Sequence, residues 1–395
     1  MAEFDLFDPL KPKTFMLIAG EASGDQLAAE LVASLRARLP EAKFFGAGGT
    51  KMTGAGVDVA VDLTKHAVTG ISDVLKKILE IWRVKRQLLA LAIERRPDVI
   101  IGVDYGEFNA RFTHAVKQHV RKHPSGWSPK IVKFISPQVW ASRPGRAYQL
   151  AADNDLLLSI FPFEKEWYAK RVPQLRVEFV GHPMVGRFTS DDLRFTSGSA
   201  GEVSALKGEP KILLLPGSRR GELKHHLTAM VGALKIIQAA IPSAKAKMIL
   251  PSESLVQLAK SLGANLDIQI GNLPQALTET SLAITKTGTV TMECAFFGVP
   301  AVTCYKGSWL DYQIAKRLVT VTTFTMPNLL AGKTVYPEFL QYDLTAENLA
   351  KAALDLLQNE SRRAEMKAEL GRVVASLGEP GAAGRAAEAI LSLFP

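Results

Sequence analysis

From residue 15 to residue 305 the chain alternates short apolar runs with longer amphipathic stretches. Residues 15–19 lead to 26–39, Val99–Val103 leads to 109–120, and 131–135 leads to a stretch from Gln149 onward. A strand covered on both faces reads as a continuous apolar run, and the helix that returns the chain to a parallel neighbour reads as an amphipathic one. The pattern therefore predicts βαβ units and an α/β fold with parallel sheets. The rhythm weakens between Gly181 and Lys207, where Pro183, Gly186, Gly198 and Gly201 stand among Ser and Thr, as an interdomain connection would. It restarts at 212–215, followed by a glycine turn and a helix from about Leu223, and continues through 246–250, Asp267–Ile270, 282–285 and Ala301–Tyr305. Two doubly wound domains facing a central cleft are expected, at 1–185 and 186–380, with a helix in 381–395 packing back on the first. Ligands of such sheets sit outside the carboxyl ends of the strands, so the loops there are where chemistry is sought.

A chain of 395 residues with 47% hydrophobic content buries at least one large core. Its formal charge of +9 points to an anionic partner: nucleic acid, a phosphorylated small molecule or an acidic membrane surface. The basic residues are dispersed and no aromatic-basic recognition motif is present, which argues against nucleic acid. The cysteines, Cys294 and Cys304, have no metal-ligand spacing around them, so neither a disulfide scaffold nor a metal site is expected. Residues 1–14 lack the charged-then-apolar order of a signal peptide. No stretch approaches the roughly 18 apolar residues that cross a bilayer. A cytoplasmic chain with at most peripheral membrane contact is the expectation.

Four loops combine strand ends with residues that carry chemistry. G-E-A-S-G-D (Gly20, Glu21, Ser23, Gly24, Asp25) opens directly into a helix; its glycines allow close backbone approach and its amides favour anions, while Ser23 or Asp25 equally reads as a helix cap. After Val99–Val103 comes Asp104-Tyr105-Gly106. An acid there can accept a proton from a hydroxyl or cap the next helix. L-P-G-S-R-R-G-E supplies Gly217, Ser218 and Arg219, whose planar donor fork suits phosphate oxygens, and is the more specific phosphate signal. T-K-T-G-T-V-T-M-E-C brings Lys286, Thr287, Gly288 and Thr289 to a strand end and sets Glu293 one turn into a helix, placed to accept ribose hydroxyls. Asn328, in M-P-N-L-L-A-G, offers an amide for a phosphate or base edge or for a loop-to-helix turn. His182, before Pro183, reads as a hinge residue rather than a base.

Taken in this order, and with F-G-A-G-G-T-K-M near Gly46, I-S-P-Q-V-W-A near Trp140, F-P-F-E-K-E near Glu164 and V-G-H-P-M near His182, the loops resemble lipid-A-disaccharide synthase, a family of GT-B glycosyltransferases. The resemblance runs from about Phe15 to the C-terminus. It implies two Rossmann-like domains, an N-terminal one for acceptor and membrane and a C-terminal one for the UDP-sugar donor. The implied substrates are UDP-2,3-diacylglucosamine and 2,3-diacylglucosamine 1-phosphate, joined by inverting transfer to a β-1,6 disaccharide without metal or cofactor. By the same resemblance Asp104 matches the general base and Arg219 the diphosphate-stabilising arginine, with Ser218, Gly288, Thr289, Glu293 and Asn328 around the UDP. Lys286 and Thr287 stand where small residues are expected, Ser142 where an aromatic is expected, and the basic segment 117–130 is longer, which leaves donor details and acyl preference open.

Acylated substrates imply a peripheral enzyme on an anionic inner-membrane surface, and leave a homodimer open. Residues 71–93 offer the contact: apolar side chains nearly surround a helix that carries Trp82 with Lys76, Lys77, Arg83 and Arg86, although ordinary packing against the sheet accounts for part of that surface. A UDP-sugar epimerase or another GT-B transferase shares the donor side and would differ in its acceptor.

Overall fold

The computed structural model describes residues 13–63, 74–124, 126–187, 209–308, 312–313, 319 and 321–394, with backbone alone for 74–78. Most of the expected interdomain connection, and the side chains of Lys76 and Lys77, lie outside the described residues. The chain forms two compact units, Met1–Gly186 with Leu377–Pro395, and Arg187–Ser376.

The first unit is built on a parallel seven-stranded sheet among the described residues, ordered β3-β2-β1-β4-β5-β6-β7. Its strands are β1 (Thr14–Ala19), β2 (Lys43–Gly48), β3 (Asp58–Asp62), β4 (Val99–Val103), β5 (Lys130–Phe134), β6 (Leu156–Ser159) and β7 (Arg176–Phe179). Alternation along the strands divides the core into two layers. Phe15, Leu17, Ile101, Val103, Val132 and Phe134 pack with Leu27, Leu31 and Leu35 of α1 (Ala22–Arg38). Met16, Ile18, Ile100 and Ile131 pack with Leu88 and Ala92 of α3 (Val74–Arg95) and Phe112 and Val116 of α4 (Gly106–Lys122). The helix Ala382–Leu391 returns to this unit: Ala386 and Ile390 join the first layer, and Arg38 pairs with Glu388 at 2.6 Å. The Arg385 guanidinium holds that return, donating to the carbonyls of Val180, Glu379 and Pro380.

Two polar locks explain sequence motifs that spacing left unaccounted for. Asp25 is buried, and its carboxylate accepts the amide hydrogens of Gly49 (2.7 Å), Lys51 (2.9 Å) and Met52 (3.2 Å), capping α2 (Thr50–Gly54) across space. The G-E-A-S-G-D and F-G-A-G-G-T-K-M segments are thus one structure. A Cβ at Gly46, where φ is +148°, would lie 1.9 Å from the Leu17 carbonyl oxygen, so only glycine lets β2 run this close to β1. The second lock joins Trp140 of α5 (Val139–Ser142) to α7 (Pro162–Ala169): the indole donates to Glu164 at 3.0 Å and the Phe161 amide donates to the same carboxyl at 3.3 Å.

The second unit repeats the plan with a parallel six-stranded sheet among the described residues, ordered β10-β9-β8-β11-β12-β13. Its strands are β8 (Lys211–Leu215), β9 (Lys245–Leu250), β10 (Asp267–Ile270), β11 (Leu282–Lys286), β12 (Ala301–Tyr305) and β13 (Glu338–Leu340). The helix that follows β8 spans Arg220–Ala240, starting three residues before the predicted Leu223, because the Glu222 carboxylate reaches back to accept the Arg219 amide at its N-cap. No helix among the described residues is long and apolar enough to cross a membrane.

Burial raises the Glu164 carboxyl to about 7, against hydrogen bonds from Trp140, Ser136 and the backbone. The folded state therefore keeps this proton while the unfolded chain loses it near 4.5, so stability is full below pH 4.5 and falls as pH rises to about 7. With about 1.4 kcal/mol per pKa unit, the loss is on the order of 3 kcal/mol. Urea denaturation of the wild type and Glu164→Gln at pH 5 and pH 8 will show the variant gaining relative stability at the higher pH; an unchanged difference would refute the burial argument.

Candidate active site

In both sheets the chain reverses direction of travel once, between β1 and β4 and between β8 and β11. The helices leaving those paired strands go to opposite faces and open a crevice at their carboxyl ends, which is where doubly wound folds bind ligands.

In the first unit Ala19 pairs with Val103, so Gly20 and Asp104 emerge side by side. The Tyr105 ring occupies the space a side chain at residue 20 would need: a Cβ there would lie 2.3 Å from it. Asp104 and Tyr105 are both left-handed, with φ of +47° and +43°, a conformation that side chains seldom adopt and that functional sites often hold under strain. Two side chains hold the turn. The Asn109 amide donates to the Asp104 carbonyl (2.9 Å) and to those of Val103 and Ile18 (3.3 Å each), and the buried Lys133 ammonium donates to the Asp104 carbonyl as well. Burial lowers Lys133 to about 8, opposed by the charge of Asp104. Asp104 does not cap α4, whose N-cap is Tyr105, and among the described residues its carboxylate accepts no hydrogen bond. It lines a cavity of about 390 Å³ with Glu21, Ile81, Tyr105, Glu107 and Arg111. Glu21 and Ser23 are exposed at the same loop, and Gly24 packs against Asp104.

In the second unit Leu215 pairs with Thr285, which sets the Gly217–Arg219 turn beside Lys286–Thr289. Gly217 has φ of +129° and lies against Glu222, a Cβ there falling 2.5 Å from its carboxylate. That carboxylate accepts the amides of Ser218 (2.9 Å) and Arg219 (3.3 Å) and the Lys286 ammonium (3.2 Å). Burial alone would raise Glu222, but Lys286, the Ser218 amide and Arg219 hold it below the usual carboxylate range. The Arg219 side chain is 75% exposed and only 3.6 Å from Glu222, leaving most of its donor fork open. Gly288, φ +141°, is the N-cap of the helix Thr289–Phe296, and Thr289 is exposed. Glu293 is held above the usual carboxylate range by burial, against the charge of Arg187, and accepts no hydrogen bond among the described residues.

Internal hydrogen bonds decide between readings that the sequence left open at three places. Asp25 faces α2 rather than an acceptor: its buried carboxylate accepts the amides of Gly49, Lys51 and Met52. Asn328 is wholly buried: its amide donates to the Tyr336 carbonyl and to Glu338, and its oxygen accepts from Val335 and Tyr336, so it fastens its loop to the β13 region. The Ser218 and Arg219 amides, expected to cradle phosphate, are occupied by Glu222. Sequence reading missed Lys133, Glu222, Asn109 and His226. A lysine inside the apolar run 131–135 was the available signal for Lys133; Glu222, Asn109 and His226 stand on helices, and each joins its own preceding loop to a segment distant in sequence, at Lys286, Ile18 and Lys306.

On α3, Val84 and Leu88 are buried against the sheet, as ordinary packing requires, while Leu79, Ile81 and Trp82 are exposed. The Arg86 guanidinium lies 4.7 Å from the Trp82 ring, and Arg83 is exposed beside it. A larger cavity of about 570 Å³ sits at the amino ends of β8 and β9, lined by Lys211, Lys245 and Leu234, away from the edge where the crevices open.

The family model described as lipid-A-disaccharide synthetase matches residues 15–391. The lipid-A-disaccharide synthase of Solibacter usitatus is 37% identical over 385 residues, covering 96% of this chain and 97% of that one. The lipid-A-disaccharide synthase of Myxococcus xanthus is 34% identical over 388 residues, covering 97% and 98%. Among solved structures, UDP-GlcNAc 2-epimerase from Neisseria meningitidis bound to UDP-GlcNAc aligns over 96% of this chain and 100% of that one with a TM-score of 0.62. Its 12% identity limits that likeness to the fold, which is GT-B. The match of sequence over nearly the full length, through both units and every loop described above, is of another order: the chain belongs to the lipid-A-disaccharide synthase family of glycosyltransferases.

Proposed function

We propose that the chain transfers 2,3-diacylglucosamine from its UDP derivative to the 6-hydroxyl of 2,3-diacylglucosamine 1-phosphate, with inversion, giving a β-1,6 disaccharide 1-phosphate and UDP. The observation that carries this reading is Asp104: a carboxylate with no donor among the described residues, fixed in a left-handed turn at the switch-point edge of its sheet, beside an open cavity. There it accepts the proton of the acceptor hydroxyl as that oxygen bonds to the donor's anomeric carbon. The bond from that carbon to the diphosphate breaks, and its electron pair leaves with UDP. Gly20, Glu21, Ser23 and Gly24 form the acceptor rim around Asp104.

On the donor side, Arg219 with the Ser218 hydroxyl meets the departing diphosphate, where negative charge grows, so its donors act more on the transition state than on the bound sugar. Lys286 adds charge tempered by Glu222. Gly288 and Thr289 start a helix beside the same oxygens, and Glu293, with no donor among the described residues, accepts from the ribose hydroxyls. Fixed cations here take the place a divalent metal holds in other transferases.

The exposed Leu79, Ile81 and Trp82 with Arg83 and Arg86 suit an anionic lipid surface, the place where acylated substrates reside. Ile81 also lines the Asp104 cavity, which puts that surface next to the proposed base.

Incubation with both acylated substrates in detergent, without divalent metal, will yield disaccharide and UDP by mass spectrometry. A folded chain that binds UDP yet forms no disaccharide refutes the acceptor assignment, and turnover of UDP-N-acetylglucosamine without any lipid would indicate an epimerase instead. Asp104→Asn will lower kcat by about 10²–10⁴-fold, the range of a lost general base; near-wild-type kcat excludes that role. Reversing Arg83 and Arg86 to Glu will weaken binding to vesicles containing phosphatidylglycerol by at least about ten-fold, since each basic residue near such a surface contributes about 1 kcal/mol. Unchanged sedimentation with vesicles would remove α3 from the membrane contact.

A further inference from the structure

His226 lies on the helix Arg220–Ala240, wholly buried, and its two ring nitrogens have opposite obligations. Nδ1 lies 2.9 Å from the Pro216 carbonyl oxygen, which can only accept. Nε2 lies 2.9 Å from the Lys306 backbone nitrogen, which can only donate. One protonation state satisfies both: the neutral ring with its hydrogen on Nδ1. Burial, the largest influence, pushes the ring's pKa below the ordinary histidine range, with Lys286 and His225 acting the same way and the Pro216 bond and Glu222 opposing.

The consequence lies in what the ring joins. Pro216 begins the Gly217–Arg219 turn after β8, and Lys306 follows β12, with β11 between those strands in the sheet. The loop after β11 is tied to both neighbours: Lys286 pairs with Glu222 at 3.2 Å, and the Thr287 amide donates to the Cys304 carbonyl at 2.8 Å. His226 closes this circuit from above by linking the first loop directly to the third.

We propose that His226 is a positioning residue for the donor diphosphate, locking the Pro216–Arg219 turn against the Lys306 backbone so that Arg219 and Ser218 are presented in one arrangement. The inference rests on the assignment of this crevice to the UDP donor. It touches no substrate atom itself. Its effect is to remove the freedom of a turn whose own amides are already spent on Glu222, and binding through a pre-ordered turn avoids the entropy of ordering it.

The test uses the full chain with UDP as the probe, titrated calorimetrically at pH 8, well below each variant's melting temperature. His226→Gln keeps one donor and one acceptor; His226→Leu keeps the volume and neither. His226→Leu will bind UDP about ten-fold more weakly, the loss expected when two buried hydrogen bonds no longer fix the turn. His226→Gln will restore affinity to within about three-fold of wild type. If His226→Leu, folded, binds UDP as the wild type does, or if Gln gives no recovery, His226 is a packing residue and the proposal falls while the donor crevice stands. If wild type fails to bind UDP, the donor assignment itself falls. If His226→Leu does not fold, the wild type gives a direct reading: ring nitrogen-15 shifts of His226, assigned through the through-space contact of its ring with the Lys306 amide hydrogen, will report a neutral Nδ1–H ring that moves on adding UDP. A charged or Nε2–H ring, or shifts indifferent to UDP, overturns the proposal.

Discussion

In a parallel sheet every strand delivers its carboxyl end to the same edge, and the right-handed crossover that joins successive strands sends each helix to one face. Where the winding reverses, two neighbouring strands send their helices apart and the edge between them stays open. Each unit of this chain has one such place, β1 with β4 and β8 with β11, and nearly every residue with a chemical role to play stands within a few positions of those strand ends. The apolar strands are thus more than a core. Phe15, Leu17, Ile101 and Val103 on one layer, with Met16, Ile18 and Ile100 on the other, fix the register that sets Gly20 beside Asp104.

Within each crevice, the polar residues divide by whether the protein already satisfies them. Asp25, Asn328 and Glu338 are consumed internally: Asp25 by three amides of the neighbouring helix, Asn328 by Tyr336, Val335 and Glu338, and Glu338 by the amides of Phe324 and Thr325. Such residues set loop shape. Asp104, Glu293 and the Arg219 fork have no comparable partner among the described residues, and an unsatisfied polar group at a crevice is what a ligand can exploit. Glu222 and Lys133 stand between these groups. Glu222 occupies amides that would otherwise hold an anion and offsets part of Lys286, which passes the task of meeting a diphosphate to Arg219. Lys133 brings positive charge beneath the strained turn of Asp104 at the expense of its own solvation, and its lowered pKa is the sign of that compromise.

Family membership and geometry bear on different parts of the functional account. The full-length match places the chain among lipid-A-disaccharide synthases, while the fold alone is shared with epimerases that differ in sequence at most positions. What the geometry adds is a division of labour: one crevice organised around a carboxylate, the other around cations and an acidic helix residue. The exposed apolar face of α3 next to the first crevice gives the acylated substrates of the proposed reaction a physical reason to arrive there.

The sequence alone determined the class of fold, because an apolar run that alternates with an amphipathic one has few ways to bury itself other than as parallel βαβ units. The ends of β4, β10 and β12 were legible to the residue, since each run stops at a charge, glycine or polar turn. Strands β2, β3 and β6 escaped that reading: β2 ends in glycines, β3 lies at the sheet edge between two aspartates, and β6 is four residues long. The four loops were also legible, as residue types suited to anions and protons. Which members of a loop face a ligand was decided only by tertiary structure, because a hydrogen bond to a distant backbone leaves no trace in local spacing. Asp25 is claimed by residues 24 to 27 positions away, and Lys133 reaches Asp104 from the next strand. His226 answers to an amide 80 positions on. Spacing names the atoms available to the chemistry; folding decides which of them are already taken.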